Sequence, residues 1–309
     1  MIDQNITDPL FHPGWINFNE LQWGVKAEKL VFEPDKGNSW RLETIVYRNK
    51  KGKLVNPPRN PHLPVHFECT SEKPARVNRR KRMALEQLAA FYRKNRFGSS
   101  ITLSPVADDL RPFTWQGMAA TPRYTYHIDI ANFAKLADSN VLNKSRKAKK
   151  LGYTCEITLD FQAVQECLNA PEARLGFEHR VNAAEMKRLH ELVGDNNFAA
   201  FLCRDSAGRP QGAWVRLFVP NGWAMAWSAG VKSAALKDGA NNLLGEYALE
   251  FLAEKGCTIF DFVGANNPPV ARMKEAWGGD LVCYFTVNQR NFRYLAKEAY
   301  FTLKGFMKR

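Results

Sequence analysis

Between Phe198 and Val231 the chain runs through three apolar stretches separated by two short turn signals, a spacing that admits an antiparallel sheet and little else. Phe198 to Arg204 is followed by Asp205-Ser206-Ala207-Gly208, then Gly212 to Val219, then Asn221-Gly222, then Trp223 to Val231. Each run has strand length, and the Gly and Asn residues between them supply the positive φ that tight hairpins demand. A meander of three strands is therefore predicted. Around it the periodicity changes to helical. Ala183 to Val193 reads as a helix opened by Asn182 as cap with Glu185 three residues on. Leu243 to Lys255 reads as an amphipathic helix closed by Gly256. Cys257 to Val263 follows as a buried strand, Val270 to Trp277 as a short helix and Leu281 to Val287 as a last strand. Ahead of the meander, Leu136 to Leu151 reads as a helix with a basic outer face, and Tyr153 to Leu159 alternates as a strand.

The first half shows a similar plan. Lys29 to Pro34 and Trp40 to Tyr47 alternate around Asp35-Lys36-Gly37-Asn38 as a hairpin. Pro57, Pro58, Pro61 and Pro64 mark a loop. Residues 77 to 96 are helical, and Ser100 to Leu103 is a short strand. The whole is mixed α/β (α+β), with mostly antiparallel sheet and flanking helices. At 309 residues the chain suits two domains. We place them at 1–138 and 139–290, with 291–309 as a basic amphipathic C-terminal helix.

Composition bounds the function. The 44 basic against 31 acidic residues give a formal charge of +13, which favours anionic partners such as nucleic acid, phosphorylated ligands or an acidic membrane surface. No stretch of eighteen apolar residues occurs, and the first residues lack the pattern of a secretory signal, so a cytoplasmic protein is expected. The six cysteines, at 69, 155, 167, 203, 257 and 283, form no CxxC pair and read as small buried hydrophobes.

Several chemistries are excluded. Neither GxGxxG nor GxxxxGK[ST] is present. His62 and His66 stand four apart, but prolines interrupt them and no Glu lies between, so they read as loop histidines and no metal site is expected. Ala226-Trp227-Ser228-Ala229-Gly230 imitates a nucleophile elbow, yet the triad order needs a histidine downstream and the last one is His190.

Two motifs carry a resemblance. Ile259-Phe260-Asp261-Phe262-Val263-Gly264-Ala265, followed by Arg272-Met273-Lys274-Glu275-Ala276-Trp277-Gly278-Gly279, resembles the "fDfgG…fK..fGg" stretch of the Fem-like branch of GNAT acyltransferases. Asn143 to Gly152 is similar to that family's "R..irkA.k.G" helix, and Thr125 to Ile130 to the strand leading into it. The likeness covers about residues 120 to 290, and the first 120 only by element order. It implies two tandem GNAT-like domains and transfer of an acyl or aminoacyl group, from acyl-CoA or aminoacyl-tRNA, to an amine on a cell-envelope or polysaccharide precursor. Such transfer needs a free amine, a polarised carbonyl and a stabilised oxyanion, with no metal, covalent intermediate or tightly bound cofactor.

The resemblance also assigns residues. Lys274 falls on the lysine of the motif and is expected to stabilise charge on the reacting carbonyl. Asp261, on the strand face opposite Phe260 and Phe262, could orient the amine or act as base, with Glu246 as a second candidate base. The donor's phosphates would lie at the turn opening the post-meander helix, at Gly239, Ala240, Asn241 and Asn242, where the GNAT signature [RQ]xxGx[GA] keeps only its middle glycine. Arg146, Lys149 and Lys150 share one helical face free of acids and could clamp a diphosphate or tRNA backbone. Arg76, Arg79, Arg80, Lys81 and Arg82 form a second basic run. The C-terminal helix could bring the protein to the inner face of a membrane as a peripheral contact. A rival reading is a non-catalytic cationic module for tRNA or acidic lipid.

Overall fold

The computed structural model describes residues 8–37, 39–175 and 181–290, with Tyr294. The expected C-terminal helix at 291–309 otherwise lies outside the described residues. In chain order, helix α1 (Pro13–Trp23) precedes strands β1 (Lys26–Phe32), β2 (Trp40–Arg48), β3 (Leu54–Val55) and β4 (Val65–Cys69), then α2 (Pro74–Lys94), β5 (Ile101–Thr102) and α3 (Arg111–Trp115). Strand β6 (Met118–Asp129) leads to α4 (Phe133–Leu136), α5 (Ser139–Lys150), β7 (Thr154–Ile157), α6 (Phe161–Leu175) and α7 (Ala183–Val193). The meander is β8 (Phe198–Arg204), β9 (Pro210–Phe218) and β10 (Trp223–Val231). It is followed by α8 (Ser233–Asp238), α9 (Ala240–Glu254), β11 (Ile259–Asp261), α10 (Pro268–Glu275) and β12 (Asp280–Gln289).

Contacts divide the chain into two units: residues 8–22 with 124–282, and residues 23–123 with 283–290. The sequence reading makes a single cut after 138. The first helix explains much of the difference. Trp15 and Phe18 of α1 meet Trp227 edge-on at 6.0 and 6.2 Å, and Gln22 donates to Glu185 at 2.5 Å. A β-carbon on Gly14 would come within 2.0 Å of the Leu192 carbonyl oxygen, so only glycine lets α1 approach the end of α7 this closely.

The unit built on residues 23–123 has a sheet in the order β1-β2-β3, with β4 also on β2. All of these pairings are antiparallel. Helix α2 buries Ala84, Leu85, Leu88, Ala89 and Tyr92, its spacing that of a one-sided apolar stripe.

The larger unit carries the strand order β6-β11-β10-β9-β8-β7. The meander pairs antiparallel as predicted. Between β10 and β11 the chain crosses over through α8 and α9, so these two strands run parallel. Mixed α/β architecture with mostly antiparallel sheet therefore stands in both units. The core of this unit gathers Phe201, Trp214, Phe218 and Phe260 from the sheet with Leu244, Ala248 and Leu252 of α9.

Two boundaries depart from periodicity. The single helix expected over 136–151 is two, because Ala137 is extended and Asp138 caps α5, its carboxylate accepting from the Asn140 N–H at 2.7 Å. The strand expected to continue to Val263 pairs only to Asp261, and Val263 turns to φ 51°.

Candidate functional site

The site is built where two strands part. Strands β10 and β11 pair over Trp223–Ile259, Ala224–Phe260 and Met225–Asp261. Beyond that row β11 ends, while β10 bulges between Ala226 and Ser228 and runs on beside β9 alone. A bulge re-aims a strand and terminates pairing, a device concentrated at functional sites. On its other side β11 pairs with β6, which sets His127 directly opposite Asp261.

Asp261 closes the row. It is 2% exposed. One carboxylate oxygen, Oδ1, accepts from the Thr125 hydroxyl at 2.6 Å and from the Val263 N–H at 2.7 Å. The other, Oδ2, lies 3.6 Å from His127 Nε2. Burial alone would raise its pKa, but His127, the Thr125 hydroxyl and the Val263 N–H together hold it below the usual aspartate value. Val263, which Asp261 holds by its N–H, sits at φ 51°, an uncommon conformation for a β-branched residue and one that stores strain.

Lys274 holds the same turn from the other side. The side chain reaches from α10 into the protein and is 8% exposed. Its ammonium donates to three successive carbonyls: Phe262 at 2.8 Å, Val263 at 3.1 Å and Gly264 at 2.5 Å. Burial lowers its pKa to about 8. Asp261 opposes that shift and Arg216 adds to it.

Arg216 is the second buried cation. It projects from β9 and is 1% exposed. Its Nη1 donates to the Val215 carbonyl at 3.0 Å and the Ser228 carbonyl at 3.2 Å, while Nε has no hydrogen-bond partner. The guanidinium lies 3.9 Å from the Trp214 ring centre and 5.1 Å from that of Phe260, within reach of both π faces. Burial pushes its pKa well below the ordinary value. Two buried cations and one buried carboxylate thus surround the point where β10 and β11 separate.

The remaining sequence-predicted residues lie around α5 and the start of α9. Gly239 joins α8 to α9 at φ 93°, and a β-carbon there would come within 2.2 Å of the Lys144 carbonyl oxygen. Ala240 is buried, Asn241 accepts from Trp214 Nε1 at 3.0 Å, and the Asn242 N–H turns back to the Gly239 carbonyl at 2.9 Å. Glu246 is bound to α5: it accepts from the Ser145 hydroxyl and pairs with Lys149 at 2.8 Å. Arg146 and Lys150 are exposed, Arg146 donating to Asn143 at 2.8 Å. The structure therefore brings Lys274 and Asp261 together and sets Glu246 elsewhere.

Sequence reasoning missed Thr125, His127 and Arg216. Arg216 leaves a trace, a lone charge inside the apolar run Ala213 to Phe218. Thr125 and His127 stand two apart and so share a strand face, but nothing short of the β6–β11 pairing shows what that face meets.

No protein-family model matches the chain, and no curated protein matches its sequence. Solved structures do. FemX superposes with a TM-score of 0.61 at 14% identity, over 90% of this chain and 92% of that one. The C-terminal domain of a protein described as a lysylphosphatidylglycerol synthetase from Agrobacterium fabrum gives 0.53 at 12% identity, over 88% and 87%. The L-PGS structure from Bacillus licheniformis gives 0.50 at 12% identity, over 94% and 95%. The chain thus has the fold of FemX.

Proposed function

We propose that the protein is an acyltransferase that moves an acyl or aminoacyl group to an amine at the fork between β10 and β11. The observation that carries this reading is the strained turn at Val263, held by Asp261 through its N–H and by the buried Lys274 ammonium through three carbonyls. Strained backbone fixed by charged groups in this way is a feature of reaction sites. The fold and the names of two neighbours, lysylphosphatidylglycerol synthetases, support aminoacyl chemistry. In the reaction the amine nitrogen attacks the carbonyl carbon, the C–O bond of an ester or the C–S bond of a thioester breaks, and the amine loses a proton.

The donor is an acyl-CoA or an aminoacyl-tRNA, and the acceptor an amine on a cell-envelope or polysaccharide precursor. The protein would act in the cytoplasm or at the inner face of the membrane. The exposed Arg146 and Lys150 would contact the phosphates of either substrate, and the Gly239–Asn242 turn the donor. Lys274 is assigned a through-space role, since its three N–H bonds are already taken. Its positive charge lies beside the fork and would favour the oxyanion formed there.

The test supplies the purified chain with acetyl-CoA, or with total tRNA charged with labelled amino acids. The acceptor is a nucleotide-linked sugar peptide bearing a lysine amine. A labelled amide from one donor is expected. Salt-sensitive tRNA binding with turnover of neither donor would favour the second reading, a non-catalytic cationic module. The net charge of +13 and the exposed cations of α5 and α2 support that alternative.

A further inference from the structure

We propose that His127 is the general base that takes the proton from the attacking amine, with Asp261 as the carboxylate that orients it; this rests on the transfer reading above. Acyl transfer to an amine requires a proton acceptor within hydrogen-bond reach of the nitrogen. The two carboxylates that the sequence offers are both committed. Glu246 is engaged by Ser145 and Lys149 on another part of the unit. Asp261 is sealed from solvent and spends Oδ1 on Thr125 and Val263.

His127 has what both lack. It lies in the β6–β11 register opposite Asp261, in the last row before the strands part. Its side chain is 14% exposed, so the ring is reached from outside although one of its nitrogens is enclosed. The enclosed atom is Nε2, which is buried, has no hydrogen-bond partner and faces Asp261 Oδ2 at 3.6 Å. Trp223 packs edge-on against the ring, with centres 5.3 Å apart and planes at 69°, and so restricts its rotation.

The carboxylate is itself fixed, because Thr125 and Val263 hold Oδ1 and leave Oδ2 aimed at the imidazole. A proton on Nε2 is then favoured by the adjacent negative charge, and the lone pair is left on Nδ1. The gap of 3.6 Å is longer than a hydrogen bond, and such contacts in substrate-free sites tighten when substrate is bound. Lys274 cannot serve instead while its ammonium is donating to three carbonyls. In the step, Nδ1 accepts the proton as the nitrogen–carbon bond forms. The imidazolium, stabilised by Asp261, then returns that proton to the departing oxygen or sulfur.

The experiment uses the full chain and two readouts. Nitrogen-15 spectra of His127 should show the Nε2–H tautomer in the wild type, and Asp261→Asn should lose that preference. In the transfer assay, His127→Ala should fall about 100-fold or more, and added imidazole should restore part of the loss. His127→Gln, compared by thermal unfolding, shows whether the fold survives. Wild-type transfer with His127→Ala within threefold of it would overturn the proposal, as would an Nδ1–H tautomer. Wild-type inactivity with every donor would instead remove the transfer reading, and the tautomer would still test the dyad.

Discussion

Lys149 and Glu246 are bound to each other, Nζ to Oε2 at 2.8 Å, and the pair ties α5 to α9. The lysine is half exposed and the glutamate largely buried. With its lysine in solvent, such a pair is worth about 1 kcal/mol or less, so Lys149→Ala should scarcely change urea denaturation. Glu246→Ala also strands the buried Ser145 hydroxyl, and should cost about 1–3 kcal/mol. Glu246→Gln should keep transfer activity. A loss of activity larger than the loss of stability in that variant would return Glu246 to the chemistry.

Lys274→Ala should destabilise the fold. Three carbonyls lose their donor, and leaving buried acceptors unpaired costs about 1–3 kcal/mol for each group that water does not reach. A lysine that served the chemistry alone would leave folding intact when removed. Denaturant midpoints of Lys274→Ala and Lys274→Arg would show the difference.

The same lysine predicts a pH dependence. Its folded-state pKa is about 8 against an ordinary 10.5. Between those values the unfolded chain binds more protons, so this group adds stability as pH rises from about 8 to 10.5, by at most about 1.4 kcal/mol per pH unit. Below pH 8 both states are protonated and the contribution is flat. Subtracting the pH profile of Lys274→Met from that of the wild type isolates it. A flat difference across that window would contradict the assignment.

Arg216→Met should leave stability unchanged or raise it by about 1–4 kcal/mol, since a buried cation without a carboxylate is replaced by an apolar chain of similar length. Transfer should fall, because a positive charge near Lys274 and the fork is removed. A variant both less stable and fully active would show that Arg216 serves packing alone.

Gly239→Ala should destabilise by more than about 1 kcal/mol whatever the donor, because the position combines φ 93° with the Lys144 carbonyl at 2.2 Å from a β-carbon. Thermal unfolding without substrate is sufficient to test it. A loss of donor binding in this variant would therefore say nothing about phosphate contacts unless the fold is first shown to be intact.

Much of the fold was legible because its determinants are local. The Asn182–Glu185 capping box is present with both reciprocal hydrogen bonds, and the meander follows its turn residues. What was hidden depends on pairing between distant segments. Asp261 and Lys274 could be found from their motif, but their bonds to Val263 and its neighbours depend on where the turn goes after β11 ends. His127 and Thr125 become meaningful only when β6, more than 130 residues upstream, is laid beside β11. Helix α1 was missed because its apolar residues do not make a regular stripe; it is held by Gly14, Trp15 and Phe18 against partners nearly 180 residues or more away.

That arrangement sets a schedule for synthesis. Trp15 and Phe18 leave the ribosome well before the ring they pack against, Trp227, which is made more than 200 residues later. At about 5–20 residues per second, the wait is roughly 10–40 seconds. Through that interval the first helix has no seat, while residues 23–123 have been made and can fold between it and its partners. The nascent chain therefore presents two unburied aromatic rings for longer than most elementary folding events last, and an attending chaperone would find its target in this helix.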